Sequence, residues 1–323
     1  MNSLIRPRAL RPGDRVGVLC VSSPVSNVAA LETGLDALRF AGLEPVVYPS
    51  AYEPGTVRTY LAGDDELRAK DLTAALADPD IAGIIFAKGG YGAQRTMELI
   101  DWASLSDVTP KVLAGFSDIT AILEAVATQL GWASLFSPMA ASTEDSSHYS
   151  FASLLRTLMR PEHATEIAYP AAVTLVPGIA RGVTAGGTLA LLASSIGTST
   201  SSGTARGAIL LLEDVDEPDY RLDRMLTQLR RAGYLDGVAG IVAGGFTECG
   251  PPEEVEAILA ERLGGLGVPM IAWANVGHGG SFQTFPIGIA AELDATRRTL
   301  RLLDPPLVTP GTPSPEPAPP APR

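Results

Sequence analysis

The segment Lys111-Val112-Leu113-Ala114-Gly115-Phe116-Ser117-Asp118-Ile119-Thr120 decides the fold. Its first half, Lys111–Gly115, is a short apolar run typical of a buried strand, and apolar residues at helical spacing follow it from Asp118 to Leu130. Ser117 lies at the junction. The segment therefore predicts a strand, a sharp turn and a helix, which is the repeating unit of an α/β protein.

The residues before this segment repeat the alternation. Periodicity predicts strands at Arg15–Val21, Glu44–Tyr48 and Ile81–Ala87, and helices at Val28–Ala41, Asp64–Ala77 and Ala93–Ile100. Strict alternation requires βαβ crossovers, so we expect a mostly parallel sheet with ligands beyond the carboxyl ends of its strands. Those ends are Ser22–Pro24, Lys88–Gly92 and Phe116–Asp118.

The second half of the chain is less regular. Strands at Ala208–Leu212, Gly240–Gly244 and Met270–Trp273, a helix at Arg221–Ala232 and a glycine-rich helix entry at Gly186–Leu189 favour an α+β domain. We therefore predict an N-terminal α/β nucleophile domain at 1–141, a proline-punctuated crossing at 142–177, a C-terminal domain at 178–304 and an unpacked proline-rich tail at 305–323.

Composition and charge exclude several classes of protein. The 323 residues are 46% hydrophobic and 19% charged, an ordinary globular balance. Acidic residues outnumber basic ones 36 to 24, so a nucleic-acid partner is not expected. No apolar stretch reaches the roughly 18 residues of a membrane span. Cys20 and Cys249 stand far apart in apolar or glycine-rich surroundings, which predicts buried thiols in a soluble cytoplasmic protein.

Ser117 is the first candidate for chemistry. A serine on a strand-to-helix turn exposes its hydroxyl at the sheet edge, where the first free helix amides point. This is the geometry of a nucleophile elbow, although Ile119 replaces the second glycine of G-x-S-x-G. A plain helix N-cap is the alternative role.

The glycine loop, residues 88–92, is the second candidate. Its sequence, Lys88-Gly89-Gly90-Tyr91-Gly92, lets the backbone approach a ligand closely. If the flanking strands are neighbours, a main-chain amide near Gly90 and the amide of Asp118 would form an oxyanion hole. A tight turn without a ligand is the alternative. Neither phosphate-binding glycine motif is present.

His278 lies between glycines, which leave an imidazole accessible as a general base, although a structural histidine is the alternative. The strand Leu210–Leu212 ends in Glu213 and Asp214, either of which would orient that imidazole. The residues Asp216–Asp219 fit an acidic turn better than a calcium loop. No His or Cys pair has zinc-ligand spacing, so we expect no metal.

The motifs together resemble the LD-carboxypeptidase family, which includes murein tetrapeptide carboxypeptidases and microcin C immunity peptidases. The resemblance covers about residues 10–304. It depends on the order of Gly89–Gly92, Gly115–Thr120, Gly186–Leu189, Leu212–Asp214 with Tyr220–Leu226, and Gly277-His278 with Pro286–Gly288.

This resemblance implies a serine peptidase with a Ser117, Glu213 and His278 triad and no cofactor. It also implies a flavodoxin-like or amidotransferase-like N-terminal domain, a C-terminal domain with a small swivelling β-barrel, and a homodimer. Lys88 stands where many relatives have arginine, and Thr188 where many have asparagine. Lys88 is our candidate for binding the terminal carboxylate of a substrate, with Arg221 or Arg224 as alternatives.

The resemblance further implies that the substrate is a cytoplasmic murein tetrapeptide, from which terminal D-alanine is released. A peptidase acting on peptidyl or aminoacyl nucleotides is the alternative within the family. It would need an aromatic surface near the site, for which Trp273 is the candidate. A protein that binds murein peptides without cutting them is the alternative from another class.

Overall fold

The computed structural model describes residues 2–142 and 148–309, with only the backbone described at 148 and 149. The strands are β1 (Arg15–Leu19), β2 (Glu44–Val47), β3 (Ile81–Phe86), β4 (Val112–Gly115), β5 (Ser134–Phe136), β6 (Glu166–Ala168), β7 (Val173–Val176), β8 (Ile179–Thr188), β9 (Ala208–Val215), β10 (Gly240–Thr247), β11 (Met270–Ala272), β12 (Phe285–Ile287), β13 (Ala290–Asp294) and β14 (Thr299–Leu302). The helices are α1 (Val28–Phe40), α2 (Asp65–Ala77), α3 (Ala93–Met97), α4 (Thr120–Gln129), α5 (His148–Met159), α6 (Leu189–Ser195), α7 (Asp219–Arg231) and α8 (Pro252–Leu263).

The first sheet has the strand order β12-β5-β4-β3-β1-β2. The strands from β1 to β5 pair in parallel, and β12 joins antiparallel to β5 at one edge. Ile84, Ile85 and Phe86 of β3 are all fully buried, as expected for a parallel strand covered on both faces. The predicted parallel α/β sheet is confirmed, and each bound lies within three residues of the expected one.

Local sequence explains where the helices of this layer begin. The Asn27 side chain accepts from the amide of Ala30 and starts α1, and Asp64 accepts from Leu67 and starts α2. The parallel pairing then brings the carboxyl ends of β1, β3 and β4 to one edge of the sheet, where ligands gather in such folds.

The second sheet has the order β6-β14-β13-β8-β9-β10-β11-β7. Its centre, β8 to β11, is parallel and its outer strands are antiparallel, so the α+β prediction for this half is confirmed. Within the described residues this order is open, with β6 and β7 as edges, and does not close into the small barrel that the resemblance implied.

The sheet nevertheless curves strongly. Eight strands spaced about 4.8 Å apart would separate the edges of a flat sheet by roughly 34 Å. Only the four residues 169–172 connect β6 to β7, and that connection spans at most about 18 Å. The two edges must therefore approach each other, which makes the sheet a curled half-barrel.

Three features differ from the sequence predictions. Strand β12 lies within 178–304 but pairs with β5 of the first sheet, because β12 returns to cover that sheet's open edge. The crossing at 142–177 contains α5, β6 and β7. The tail predicted from 305 begins later, because Leu307 is buried and Val308 forms a β-bridge with Arg8. Residues 310–323 of that tail lie outside the described part.

Cys20 and Cys249 are buried, free thiols, as predicted. In the described part of the chain, no helix combines the length and apolar character that crossing a membrane requires.

Candidate active site

Ser117 lies at the turn between β4 and a short 3-10 turn, Ser117–Ile119, that leads into α4. Its φ of +62° is left-handed, which costs a non-glycine residue about 1 kcal/mol. The first hydrogen bond of the turn runs from the Ile119 amide to Phe116 O, at 3.2 Å. The amides of Ser117 and Asp118 precede it and remain available to a ligand.

The glycine loop lies directly against this turn because β3 and β4 are parallel neighbours. A Cβ added to Gly89 would come 3.0 Å from the Ser117 Cβ. Gly90 has a φ of +111°, and a Cβ there would come 2.6 Å from the Ser23 Cβ. The structure shows no hydrogen bond from the Gly90 amide to another described residue. The predicted proximity of glycine loop and serine is therefore correct.

Glu213 and His278 form the second part of the site. Glu213 lies near the carboxyl end of β9, is fully buried, and places Oε2 2.7 Å from His278 Nδ1. The backbone amide of His278 donates to the same oxygen at 2.9 Å, and Thr188 Oγ1 donates to Oε1. Both carboxylate oxygens are thus satisfied, and the imidazole is held with Nδ1 toward Glu213.

Asp214, the other carboxylate considered from sequence, points elsewhere. Its carboxylate accepts from the amide of Ala190 at the start of α6, at 2.9 Å. Burial, together with the charge of Glu213, raises the pKa of Asp214 to about 7. Burial of the His278 ring opposes its protonation, but the hydrogen bond and charge of Glu213 outweigh this and raise the pKa of His278. Glu213 is thus the carboxylate that orients the imidazole.

Ser117 and His278 line one cavity of about 400 Å³. In the described part of the chain no hydrogen bond joins the two side chains, although a triad of the kind that the resemblance implies needs Ser117 within reach of His278. Catalytic hydrogen bonds are often long or misaligned before substrate binds. The His278 ring packs 4.9 Å from the Phe116 ring, which keeps it beside the serine. The other residues lining the cavity are Val25, Ser26, Asn27, Ala87, Lys88, Gly89, Gly90, Phe116, Met139, Ala141, Ser142 and Val215.

Lys88 contributes a cation to this cavity, and its Nζ donates to Ser26 Oγ at 3.0 Å. The two alternatives for a carboxylate contact do not line it. Arg221 pairs with Glu217 at 2.7 Å, and the Arg224 guanidinium lies over the Tyr220 ring. The structure thus favours Lys88 among the three candidates.

Trp273 lines a neighbouring cavity of about 260 Å³ rather than the serine cavity, and both cavities include His278. Its indole nitrogen donates to Glu256 at 2.6 Å. An exposed aromatic pair that the sequence did not indicate lies at the glycine loop instead. Tyr91 of that loop is half-exposed, and its ring centroid lies 6.0 Å from that of Tyr60.

Three further residues support the site, although their local sequence does not indicate their contacts. Thr188 holds Glu213, and Gly277, at φ +90°, leaves no space for a side chain against the same carboxylate. Ser22 donates to the Asp118 carboxylate at 2.6 Å. Thr188 belongs to the motif Gly186–Leu189, but its contact with Glu213 depends on the pairing of β8 with β9, which the local sequence does not indicate. Among the described residues, no group of three or more His, Cys, Asp or Glu side chains is arranged to hold a metal ion.

Comparison with known proteins finds matches along most of the chain. Residues 16–137 match the N-terminal domain model of LD-carboxypeptidases, and residues 181–293 match the C-terminal domain model. A putative carboxypeptidase of Streptomyces coelicolor is 47% identical over 312 residues, which cover 96% of this chain and all of the relative.

Two further matches are a relative named for its substrate and a solved structure. The murein tetrapeptide carboxypeptidase of Pseudomonas aeruginosa is 33% identical over 300 residues, covering 87% of this chain and 94% of that protein. The apo microcin C7 self-immunity protein MccF superposes with a TM-score of 0.85 at 20% identity, covering 94% of this chain and all of that one, which shows a shared fold.

Proposed function

This chain belongs to the LD-carboxypeptidase family and is a serine-type carboxypeptidase, and we propose that it releases terminal D-alanine from murein tetrapeptides. One observation carries the proposal. The buried carboxylate of Glu213 binds the His278 imidazole at the wall of a cavity that also holds Ser117. A histidine fixed in this way, beside a serine on a strained turn, is suited to nucleophilic catalysis.

The proposed reaction begins with proton transfer. Neutral His278 accepts the Ser117 proton on Nε2 while Oγ attacks the carbonyl carbon of the bond before D-alanine. Glu213 keeps the Nδ1 proton in place and stabilises the imidazolium that forms. His278 then protonates the leaving amine of D-alanine, and water hydrolyses the acyl-serine with the same histidine as base.

The oxyanion of each tetrahedral intermediate needs donors close to Ser117. The Gly90 and Asp118 amides are suited to this, since the first has no hydrogen-bond partner among the described residues and the second precedes the first bond of its turn. The turn leads into α4, whose N-terminal dipole adds positive potential at the same point. No step requires a metal or an organic cofactor.

Lys88 supports the carboxypeptidase specificity. A released D-alanine carries a free carboxylate one residue beyond the scissile bond. Lys88 Nζ lies in the same cavity as Ser117 and is held there by the neutral hydroxyl of Ser26 rather than by an acidic side chain. We propose that this ammonium binds the terminal carboxylate and so favours the last peptide bond over internal ones.

A second candidate substrate is a peptidyl or aminoacyl nucleotide. The observation that favours it is the exposed Tyr91–Tyr60 pair at the rim of the glycine loop, since an exposed aromatic face stacks with a nucleobase. The murein tetrapeptide is the stronger proposal. The Pseudomonas aeruginosa relative named for it is 33% identical, whereas the microcin immunity protein is 20% identical and shows only the fold.

Parallel titrations of the purified protein test the substrate. A murein tetrapeptide ending in D-alanine and a peptidyl-adenylate analogue are each titrated, with products followed by mass spectrometry and compared as kcat/KM. We expect the higher kcat/KM for D-alanine release. A higher value for the nucleotide would select the second candidate, and binding of both substrates without turnover would indicate a non-catalytic murein-peptide-binding protein.

Two further properties remain proposals from the resemblance. We propose that the protein acts in the cytoplasm on recycled murein peptides and assembles as a homodimer. Light scattering of the purified chain tests the second proposal. A mass near twice 33.6 kDa is expected, and a mass near 33.6 kDa at all working concentrations would refute it.

A further inference from the structure

The side chain of Asp118, the residue after the nucleophile, has no role in the reaction described above. It is only 4% exposed and does not line the cavity shared by Ser117 and His278. Burying a carboxylate is costly unless donors satisfy it, so its partners indicate why it is there. Burial raises the pKa of Asp118, although hydrogen bonds from its neighbours oppose that shift.

The partners of Asp118 come from two other strand ends. Its Oδ2 accepts from Ser22 Oγ, just beyond β1, at 2.6 Å, and from the backbone amide of Ala93 at 2.8 Å. Ala93 is the first residue of α3 and follows the glycine loop directly. One carboxylate thus joins the loops after β4, β3 and β1, which are consecutive strands in the first sheet.

The contact with Ser22 extends this connection to the other end of the glycine loop. The amide of the next residue, Ser23, donates to Gly89 O at 3.2 Å, and Ser23 Oγ accepts from the Tyr91 amide at 3.2 Å. Gly90 therefore lies between two segments that Asp118 anchors. Ala93 is the first residue of α3, where a backbone amide has no partner within the helix, so its acceptor must come from another element.

We propose that the Asp118 carboxylate is a positioning residue that fixes the glycine loop against the Ser117 turn. In this way it sets the position of the Gly90 amide relative to the serine. The inference rests on the proposed function, since that amide matters only if an oxyanion forms at Ser117. A strained backbone conformation persists only where surrounding contacts hold it in place. Ser117 has such a left-handed conformation, and Asp118, with its hydrogen bonds to two other loops, directly follows it.

Asp118→Ala is the principal variant, with Asp71→Ala as its matched control. Asp71 is also 4% exposed and also accepts a backbone amide at 2.8 Å, from Ser50, but among the described residues none of its hydrogen bonds involves the glycine loop or the serine turn. Both changes remove a buried carboxylate that accepts a backbone amide. A second contact, from Thr96 Oγ1 to Val21 O at 2.8 Å, still ties α3 to the end of β1 in the Asp118 variant.

The expected result is a split between kcat and KM. Since one misplaced oxyanion donor costs about 10²–10³ in kcat, we expect Asp118→Ala to lower kcat at least tenfold with KM within about threefold. Asp118→Asn keeps one acceptor oxygen and is expected to recover part of that loss. Asp71→Ala should lower the melting temperature with kcat within about twofold. Equal kcat losses in the two alanine variants, unchanged kcat in Asp118→Ala, or no recovery in Asp118→Asn would overturn the inference.

Hydrogen–deuterium exchange separates this inference from the proposed function. Amides 89–93 should exchange faster in Asp118→Ala than in the parent chain, and at the parental rate in Asp71→Ala. If the parent chain hydrolyses no peptide, the proposed function fails while the exchange result still reports whether Asp118 fixes the loop. Unchanged exchange in Asp118→Ala would overturn the anchoring even in a fully active enzyme.

Discussion

A single methyl group at Gly277 should disable the site without touching Ser117 or His278. A Cβ built on Gly277 would overlap Glu213 Oε2 and come 2.6 Å from Glu213 Cδ. The carboxylate that binds His278 Nδ1 would therefore have to move, and Thr188 and the His278 amide would lose their acceptor geometry. We predict that Gly277→Ala disconnects Glu213 from His278.

The size of the effect follows from two contributions. Gly277 has a φ of +90°, so an alanine there adds about 1–2 kcal/mol of backbone strain and lowers stability by that amount. Loss of the carboxylate that orients a catalytic histidine lowers kcat by roughly 10⁴-fold in serine proteases. Because Glu213 is displaced rather than removed, we expect a fall in kcat of about 10²–10⁴-fold, or roughly 3–5 kcal/mol.

Gly279→Ala is the matched control from the same loop. Gly279 also has a positive φ, +155°, but a Cβ there would meet only Thr247 Oγ1, at 3.9 Å. The assay is D-alanine release at several tetrapeptide concentrations, with thermal melts of each variant. Gly277→Ala should lose activity while folded, whereas Gly279→Ala should lose stability through the same kind of backbone strain and keep its activity. Activity of Gly277→Ala within threefold of the parent, or an equal loss in Gly279→Ala, would refute this account of the triad.

Three other outcomes follow. Catalysis needs neutral His278, and Glu213 raises the pKa of that histidine, so the acidic limb of the kcat/KM profile should have its midpoint above the ordinary histidine value of 6.5. Glu213→Gln should move that midpoint to lower pH. A midpoint unaffected by Glu213→Gln would contradict the assignment. The folded-state pKa of Asp214, about 7, exceeds its ordinary value of 3.8, so the stability that this group contributes is present below about pH 4 and is lost as pH rises through 7. Urea denaturation between pH 5 and pH 8 should therefore show that the free energy of unfolding falls by roughly 3 kcal/mol more in the parent than in Asp214→Asn. Parallel pH dependences of the two proteins would contradict this. Lys88→Ala should reduce the kcat/KM preference for a tetrapeptide acid over its amide about tenfold or more, and an unchanged preference would assign the carboxylate contact to another group.

Local sequence patterns predicted the first sheet because its strands are buried on both faces and its helices alternate with them. The strand at Val112–Gly115, the turn at Ser117 and the helix that follows all lie within a few residues of their predicted positions. The side-by-side placement of Ser117 and the glycine loop followed from one assumption, that consecutive βαβ strands are parallel neighbours, and β3 and β4 meet it.

The parts that escaped prediction depend on contacts between distant segments. Strand β12 is three residues long and acquires its place only by pairing with β5, about 150 positions earlier. Thr188 and Glu213 meet because β8 and β9 pair in parallel with these two residues opposite each other. The sequence of either strand by itself does not determine that register. Leu307 and Val308 lie in a proline-rich stretch, yet they pack against the protein because the Val308 amide donates to Pro7 O and the Ala9 amide donates to Val308 O.

The strand pattern by itself did not distinguish Glu213 from Asp214, and the resemblance assigned the role to Glu213. They are adjacent on β9, so their side chains point to opposite faces of the sheet. One face holds His278 and the other the start of α6, and only the fold decides which carboxylate meets the histidine.

The central claim is that Ser117 is the nucleophile of a peptidase whose base is His278. The most direct measurement is kcat for D-alanine release from a murein tetrapeptide by Ser117→Ala, in protein shown to be folded by circular dichroism. The account predicts a fall of at least about 10³-fold, since loss of a triad nucleophile leaves only binding and oxyanion stabilisation. A folded Ser117→Ala protein that releases D-alanine within tenfold of the parental rate would contradict it.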